Sequence, residues 1–323
     1  MSSSKSALDT LVSGLFDFAG MFPPASLSFD DALVASSTFA HDLKRPFLVA
    51  ADMVVGIEHL SRVRPELLHR LGFSTHKPFR IAVLGTPLSG SSDLSRSSEL
   101  DLILQCNRED LQDAVKRQVL SYELKLTPAI QADSQALLES VRAIQLHLNS
   151  APVKIFLEPD LSVPQWHAVL DIVCGVIKLI NEESDSSRIG LKIRGSGPTA
   201  VSAAKLATIV QEVASAQLHF KATAGLHHPI VERSRYHNEL GFLNLCCALF
   251  LRRQLGSAFP EKEVLACLSC ERSSDFELNA TGLRWKSYHL NIPMIEELKA
   301  NFHFSIGSCS LLEPDQDLLR LFD

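Results

Sequence analysis

The sequence has no apolar run long enough to cross a membrane and no cluster of basic residues that would suit a nucleic-acid backbone. Its most apolar stretch, residues 243–251, is interrupted by Asn244 and closed by Arg252. Acidic and basic residues are interspersed, and the formal net charge is −6. Residues 1–5 are serine-rich but no signal-peptide core follows them. We therefore expect a cytoplasmic protein with neither a membrane nor a nucleic-acid partner.

Cysteine pairs that would indicate disulfides or a structural zinc site are also lacking. The seven cysteines are odd in number and lie mostly within apolar segments, which predicts reduced thiols. Cys267 and Cys270 form a single CxxC, and the only other close pair, Cys246 and Cys247, is vicinal. Structural zinc normally shows two clean ligand pairs, so we expect neither a metal nor a cofactor, and we interpret these cysteines as buried small residues.

The chain instead shows a repeated alternation of short apolar runs and amphipathic stretches. Of its 323 residues, 46% are hydrophobic, enough to form a large core. The runs have few alternating polar positions, which is typical of parallel strands covered on both faces. The alternation predicts an α/β fold in which about eight units close into a (β/α)8 TIM-type barrel. The predicted strands are residues 15–20, 47–52, 80–85, 121–126, 153–158, 189–194, 218–223 and 302–307.

The segments between these runs are predicted helices, with one interval that is too long for a single crossover. Ser28 and Asp31 form a helix-capping sequence, and residues 166–180 carry one apolar stripe. Residues 229–301 are predicted to contain helices at 240–251 and 261–270 and a hairpin around 279–282. We interpret this interval as an elaboration of the seventh unit within a single barrel domain (1–323), and as a candidate contact for a homo-oligomer.

Charged side chains occur where the predicted strands end, and barrels of this type carry their active sites at that face. The fifth strand ends at Glu158, the sixth carries Lys192 and Arg194, and the seventh carries Lys221 and Thr223. Residues two apart on a strand share a face, so each of these pairs points to one side. The other strands bring Asp17, Asp52, Glu123 with Lys125, and Ser308 with Cys309.

The strongest single signal is Lys221, within the segment FKATAGLHHP at residues 220–229. A lysine in an apolar strand is costly to bury unless it is paired or deprotonated. Desolvation lowers a lysine pKa, as a Schiff-base amine requires, so we predict Lys221 as the nucleophile and Lys192 as the group that tunes its pKa. The alternative is a structural lysine paired with a carboxylate such as Glu158.

Two histidines, His227 and His228, follow the seventh strand and point to opposite sides if the chain is extended. His227, or Glu158, is a candidate proton shuttle. A metal-site hypothesis instead places Glu158, one histidine, and Asp17 or Asp52 around a divalent ion.

Glycine- and serine-rich segments after the sixth and eighth strands are candidate anion sites, because free amides at helix starts attract anions. We expect the anionic part of a small-molecule substrate to contact Arg194, Gly195, Thr223, His228 and Ser308.

Three segments resemble a family of uncharacterised bacterial and plant proteins with the motifs DYAGLFPPA, KATAGLHHP and GSCSxxEPxxDL. They are FDFAGMFPPA at 16–25, KATAGLHHP at 221–229, and the segment from Gly307 to Leu318. The resemblance spans the chain and brings no activity with it. The chain departs from the family pattern at two positions. Phe18 replaces the tyrosine of the first motif, and Gly195 follows Arg194 where the family has a threonine.

A shorter likeness concerns residues 221–225, KATAG, which are similar to the KTSTG strand of deoxyribose-phosphate aldolases. In such class I aldolases one lysine forms a Schiff base and a second tunes its pKa, so this likeness implies that chemistry for Lys221 and Lys192.

Three functions remain open. The first is a lyase or aldolase that acts on a small carbonyl or phosphorylated metabolite through Lys221. The second is a metal-dependent hydrolase or isomerase that uses Glu158 and His227. The third is a non-catalytic barrel that binds a metabolite, or a partner through residues 229–301. Mixed charge at strand ends favours an enzyme, and we favour the lyase.

Overall fold

A closed barrel of parallel strands forms the centre of the protein. The computed structural model describes residues 7–42, 51–90, 94–108, 115–183, 188–236 and 240–322. Within these residues, eight strands pair in the order β1-β2-β3-β4-β5-β6-β7-β11, and β11 closes onto β1. The predicted (β/α)8 TIM-type barrel is therefore confirmed. The barrel strands are β1 Phe16–Phe18, β2 Asp52–Gly56, β3 Phe79–Leu84, β4 Arg117–Lys125, β5 Lys154–Glu158, β6 Ile189–Arg194, β7 His219–Thr223 and β11 Phe304–Ser308.

Helices surround the barrel and cover its outer face. Asp31 donates its backbone N–H to Ser28 Oγ at 3.1 Å, as the capping sequence predicts. No helix in the described part of the chain is both long and apolar enough to cross a bilayer. The helices are α1 Ala7–Val12, α2 Phe29–His41, α3 Pro65–Arg70, α4 Leu94–Asn107, α5 Pro128–Gln131, α6 Ser134–His147, α7 Trp166–Glu182, α8 Ala203–Ser215, α9 Arg233–Tyr236, α10 Phe242–Leu255, α11 Glu261–Leu268, α12 Ile292–Asn301 and α13 Leu312–Phe322.

The second strand lies further along the chain than the sequence predicted. The prediction ended it at Asp52, whereas β2 begins there and continues through the buried residues Met53 and Val55; residues 47–50 lie outside the described residues. Asp52 therefore occupies the amino-terminal end of its strand, where its Oδ1 accepts a hydrogen bond from Arg80 Nε at 2.6 Å. Its predicted position at the carboxyl ends of the strands is wrong.

The long seventh unit contains the elements that the sequence predicted, together with a third strand. Helices α10 and α11 are followed by an antiparallel sheet of β8 Phe276–Asn279, β9 Gly282–Trp285 and β10 Tyr288–Asn291. The first two strands form the predicted hairpin. Residues 242–251 of α10 are all buried, which explains why this helix is apolar on every side. All seven cysteines are free thiols, as predicted.

Asn244 holds the chain segments of this unit together. It is fully buried, accepts from the backbone N–H of Val231 at 3.1 Å, and donates to the carbonyl oxygens of Cys267 and Cys270 at 2.8 Å each. We expect Asn244→Ala to lower the free energy of unfolding by about 2–4 kcal/mol, because it leaves buried backbone groups without partners. Urea unfolding measures this, with Asn301→Ala as the control.

Asn301 is exposed and also donates one side-chain hydrogen bond to a backbone carbonyl, so its replacement should change stability by less than about 0.5 kcal/mol. Equal effects of the two variants would contradict the assigned role of Asn244.

Candidate functional site

The interior of the barrel contains two lysines on neighbouring strands. Lys192 of β6 lies directly opposite Lys221 of β7 in the strand register, so the two side chains share a face of the sheet. That face is the inner one, because both lysines contact Glu123 of β4, a strand that is not adjacent to β6 or β7. Like charges in such positions repel each other. Glu123 of β4 bridges them: its Oε2 lies 2.8 Å from Lys192 Nζ and its Oε1 lies 2.5 Å from Lys221 Nζ. One carboxylate is therefore shared by both ammonium groups.

Further carboxylates extend this arrangement on both sides. Asp17 Oδ2 lies 2.6 Å from Lys221 Nζ, and Glu158 Oε2 lies 2.6 Å from Lys192 Nζ. Glu158 Oε1 also lies 3.7 Å from Arg194 Nη1. All of these groups except Arg194 are buried. The result is a series of alternating charges that we call the ion chain: Asp17, Lys221, Glu123, Lys192, Glu158 and Arg194.

The ion chain keeps both lysines protonated. Burial acts to lower the pKa of Lys221, but Asp17 and Glu123 outweigh it and hold the pKa above its ordinary value. Lys192 behaves in the same way between Glu123 and Glu158. The prediction that the pKa of Lys221 is lowered is therefore wrong, because each ammonium group has two carboxylate partners. The alternative, a lysine paired with a carboxylate, agrees with these contacts, but the partners of Lys221 are Asp17 and Glu123, and Glu158 pairs with Lys192 instead.

The two carboxylates that contact Lys221 differ in acidity. Burial acts to raise the pKa of Glu123, but Lys192 and Lys221 outweigh it and lower the pKa to about 2. Burial raises the pKa of Asp17 to about 6, because only one lysine opposes it and Asp52 and Glu123 add to the increase. Asp17 is therefore the better proton acceptor beside Lys221.

The raised pKa of Asp17 gives a testable pH dependence of stability. The pKa of about 6 in the folded state lies above the value of roughly 3.9 expected in the unfolded chain, so Asp17 favours folding below about pH 4. That contribution is lost as the pH rises from about 4 to 6. We expect the free energy of unfolding of the wild type, relative to Asp17→Asn, to fall by about 2–3 kcal/mol over this window.

Urea unfolding of both proteins at pH 4 and pH 7 measures this difference. A difference that stays constant between the two pH values would show that the pKa of Asp17 is not raised. Glu123 also contributes to the pH dependence: its lowered pKa stabilises the fold above about pH 4.5, and this contribution is lost as the pH falls towards 2. Because both proteins contain Glu123, the difference between them reports on Asp17.

A cavity of about 210 Å³ lies at the carboxyl ends of the strands, and both lysines line it. Five of the predicted catalytic and binding residues therefore meet around one space, where barrels of this type carry their active sites: Lys192, Arg194, Lys221, Thr223 and His227. Glu158 adjoins the cavity through its ion pair with Lys192. The polar and charged lining residues are Glu123, Lys192, Arg194, Ser196, Lys221, Thr223, His227 and Cys309.

The two adjacent histidines have different surroundings. His227 lines the cavity, and its Nδ1 lies 3.5 Å from Ser308 Oγ and 4.0 Å from Cys309 Sγ. His228 points towards α13, where its Nδ1 lies 2.6 Å from Asp317 Oδ2. The histidine within reach of a ligand in this cavity is His227.

The structure separates the predicted anion-binding residues. Arg194 and Thr223 line the lysine cavity, whereas Gly195 lines a neighbouring cavity of about 610 Å³. Ser196 borders both cavities. The hydroxyl of Ser308 donates to the carbonyl oxygen of Ser310 at 2.5 Å, and Ser308 does not line the lysine cavity.

The ligand set of the metal-site hypothesis does not come together. Glu158 is engaged by Lys192, Asp17 by Lys221, and Asp52 by Arg80. Among the described residues, no group of three or more histidine, cysteine or acidic side chains is arranged to hold a metal ion.

Sequence reasoning named Asp17, Glu123 and Cys309 at the strand ends but gave none of them a role beside Lys221. Glu123 and Asp17 hold Lys221, and Cys309 lines the cavity beside His227. A charged residue at an inward position of an otherwise apolar strand is the signal that marks Glu123 and Asp17. For Glu123 this signal is ambiguous, because Lys125 has the same strand parity and is exposed.

The three segments that carry the family resemblance converge on this cavity. The first supplies Ala19 and Phe22, the second Lys221 and His227, and the third Cys309. Compared with known proteins, the chain matches no family model and no curated protein. The geometry of the cavity therefore carries the functional argument.

Proposed function

We propose that the protein is a lyase-type enzyme that acts on a small carbonyl or phosphorylated metabolite through Lys221. The observation that carries this proposal is the meeting of Lys221 and Lys192 in one small cavity, bridged by Glu123. Lysines are costly to bury, and such charged groups at the strand ends of a barrel are typical of catalytic sites.

In the proposed reaction, Lys221 must first lose a proton to become a nucleophile. Asp17 is the better acceptor, because its oxygen lies 2.6 Å from Nζ and its pKa of about 6 exceeds that of Glu123. The amine then adds to the substrate carbonyl carbon, and the carbonyl oxygen leaves as water to give an iminium ion. The hydroxyl on the β-carbon then loses its proton, and this carbon leaves as an aldehyde or ketone while the electron pair of the breaking carbon–carbon bond moves to the iminium and forms an enamine. The enamine gains a proton on carbon, and hydrolysis restores the lysine amine and releases the second product.

The ion chain supports an iminium at this position. An iminium carries the same single positive charge as the ammonium that it replaces, so Asp17 and Glu123 keep a cationic partner in a buried site. Lys192 holds the other oxygen of Glu123 and thereby fixes the carboxylate that faces Lys221. His227 also lines the cavity, and in this proposal it exchanges a proton with the substrate.

Borohydride trapping tests this function directly. The protein is incubated with small aldehydes, 2-oxo acids and sugar phosphates, reduced with borohydride, and its intact mass and peptides are measured. We expect an irreversible mass increase on the peptide that contains Lys221. No adduct on either Lys221 or Lys192 with any compound would eliminate the covalent mechanism. Lys154→Met is the matched control and should retain the adduct, because Lys154 lies at the amino-terminal end of β5 and the cavity lies at the carboxyl ends of the strands.

A second candidate is a barrel that binds a metabolite without transforming it. The pairing of each ammonium group with two carboxylates, and the resulting rise in both pKa values, favours this reading. Saturable binding of a compound that yields neither an adduct nor a product would support it.

We also propose that the chain belongs to the bacterial and plant family whose three motifs surround the cavity.

A further inference from the structure

The lysine cavity has two chemically different walls. Its charged wall comes from β4, β6 and β7, and includes Glu123, Lys192 and Lys221. The opposite wall comes from β2, β3 and the segment that follows β1, which are neighbours in the barrel. This apolar wall consists of Ala19, Phe22, Pro23, Pro24, Val54 and Leu84.

The apolar wall is separate from the main hydrophobic core. Ala19, Val54 and Ala82 form their own cluster, with Phe22 and Leu84 packed against it. Because this cluster borders the cavity, a ligand with an apolar part would remove that surface from water at about 25 cal/mol per Å². Ligand sites commonly combine such apolar surface with a few placed polar groups.

Arg194 ends the ion chain with unused hydrogen-bonding capacity. Its nearest carboxylate oxygen is 3.7 Å away, and within the described residues its guanidinium donates no hydrogen bond. Its side chain is 40% exposed and lines the cavity. A guanidinium presents a planar fork that binds a carboxylate through two parallel hydrogen bonds. Arg194 is therefore open to an anionic ligand in this cavity.

Size and spacing restrict the ligand further. A volume of about 210 Å³ corresponds to roughly seven water volumes, below the range of drug-sized pockets. Arg194 lies two residues beyond Lys192 on the same strand, a separation of about 7 Å, and is level with Thr223 of β7. This small volume and short spacing favour a ligand in which the anionic group and the reacting carbonyl are close together.

We propose that the substrate is a short 2-oxo carboxylate that carries a C4 hydroxyl and an alkyl group, so that cleavage of its C3–C4 bond at the Lys221 iminium releases C4 as an aldehyde or ketone and leaves a 2-oxo acid. Its carboxylate binds Arg194, its carbonyl faces Lys221, and its alkyl group contacts the apolar wall. This inference rests on the proposed function for the role of Lys221, while the carboxylate and alkyl contacts are independent of any covalent step.

Calorimetric binding with three matched probes tests the proposal. The probes are 4-methyl-2-oxopentanoate, its 2-hydroxy analogue, which cannot form an imine, and the neutral 3-methylbutanal. We expect both carboxylates to bind, and Arg194→Gln to weaken their binding by about 10–100-fold. Arg233→Gln is the control and should leave binding unchanged, because Arg233 lines the neighbouring cavity. Thermal unfolding verifies that each variant is folded.

The apolar wall is tested by comparing 4-methyl-2-oxopentanoate with pyruvate. Val54→Thr keeps the side-chain shape but adds a hydroxyl, and we expect it to reduce the preference for the longer compound by about 3–10-fold.

The outcomes separate this inference from the proposed function. Binding of the 2-hydroxy analogue that depends on Arg194, without any borohydride adduct from the 2-oxo acid, supports the carboxylate site and removes the lyase. An adduct from 3-methylbutanal, together with carboxylate binding that Arg194→Gln does not change, keeps the lyase and overturns the 2-oxo carboxylate proposal.

Discussion

Replacement of Glu123 with glutamine is expected to lower the free energy of unfolding by about 3–5 kcal/mol, because it leaves two buried ammonium groups without their shared carboxylate. The effect should appear as a lower midpoint in urea unfolding with an unchanged m-value. Glu183→Gln is the control: Glu183 pairs with Arg142 on the surface, and its loss should cost less than about 1 kcal/mol.

A double variant tests whether the destabilisation comes from lost charge pairing or from lost packing. Glu123→Gln combined with Lys192→Met removes one charge of each sign and leaves Asp17 with Lys221 and Glu158 with Arg194. We expect the free energy of unfolding of the double variant to exceed, by about 1–3 kcal/mol, the value obtained by adding the effects of the two single substitutions. Additive effects would show that these charges do not stabilise one another.

Lys221→Arg is expected to abolish the borohydride adduct and to reduce turnover by about 10³-fold or more, because a guanidinium cannot form an imine. The substitution keeps a cation between Asp17 and Glu123, so loss of activity cannot be attributed to a broken ion chain. Mass spectrometry after reduction and single-turnover kinetics measure the two effects.

Lys192→Met should slow adduct formation without eliminating it, since the expected role of Lys192 is to position Glu123. Turnover that survives in Lys221→Arg would show that the residue serves only as a cation, and the covalent mechanism would then be abandoned.

Much of the barrel was predictable because parallel strands buried on both faces give continuous apolar runs. The prediction for β6 matches the structure at both ends. The error at β2 arose because the apolar run extends on both sides of Asp52, so the sequence alone did not show where pairing begins. Strand β10 was missed because two of its four residues are exposed and only Leu290 is buried, so it gives no continuous apolar run.

The sequence predicted which lysines contribute to the site but not the direction of their pKa shifts. Strand parity predicted that Lys192 shares a face with Arg194 and Lys221 with Thr223, and the structure shows that these faces line the cavity inside the barrel. The direction of the pKa change depends on which carboxylates approach from across the barrel, and Asp17 lies far from Lys221 in the chain. Sequence periodicity carries no information on such long-range contacts. Burial alone therefore predicted a lowered pKa for Lys221, whereas its carboxylate partners raise it.

The closure of the barrel between β1 and β11 has a consequence for biosynthesis. Asp17 comes from the first barrel strand and Lys221 from the seventh, and the sheet cannot close until the eighth strand has left the ribosome. The contact between Asp17 and Lys221 spans most of the chain and is therefore one of the least local contacts of the ion chain. Assembly of the ion chain is therefore expected to be a late, post-translational event that coincides with the expulsion of water from the barrel.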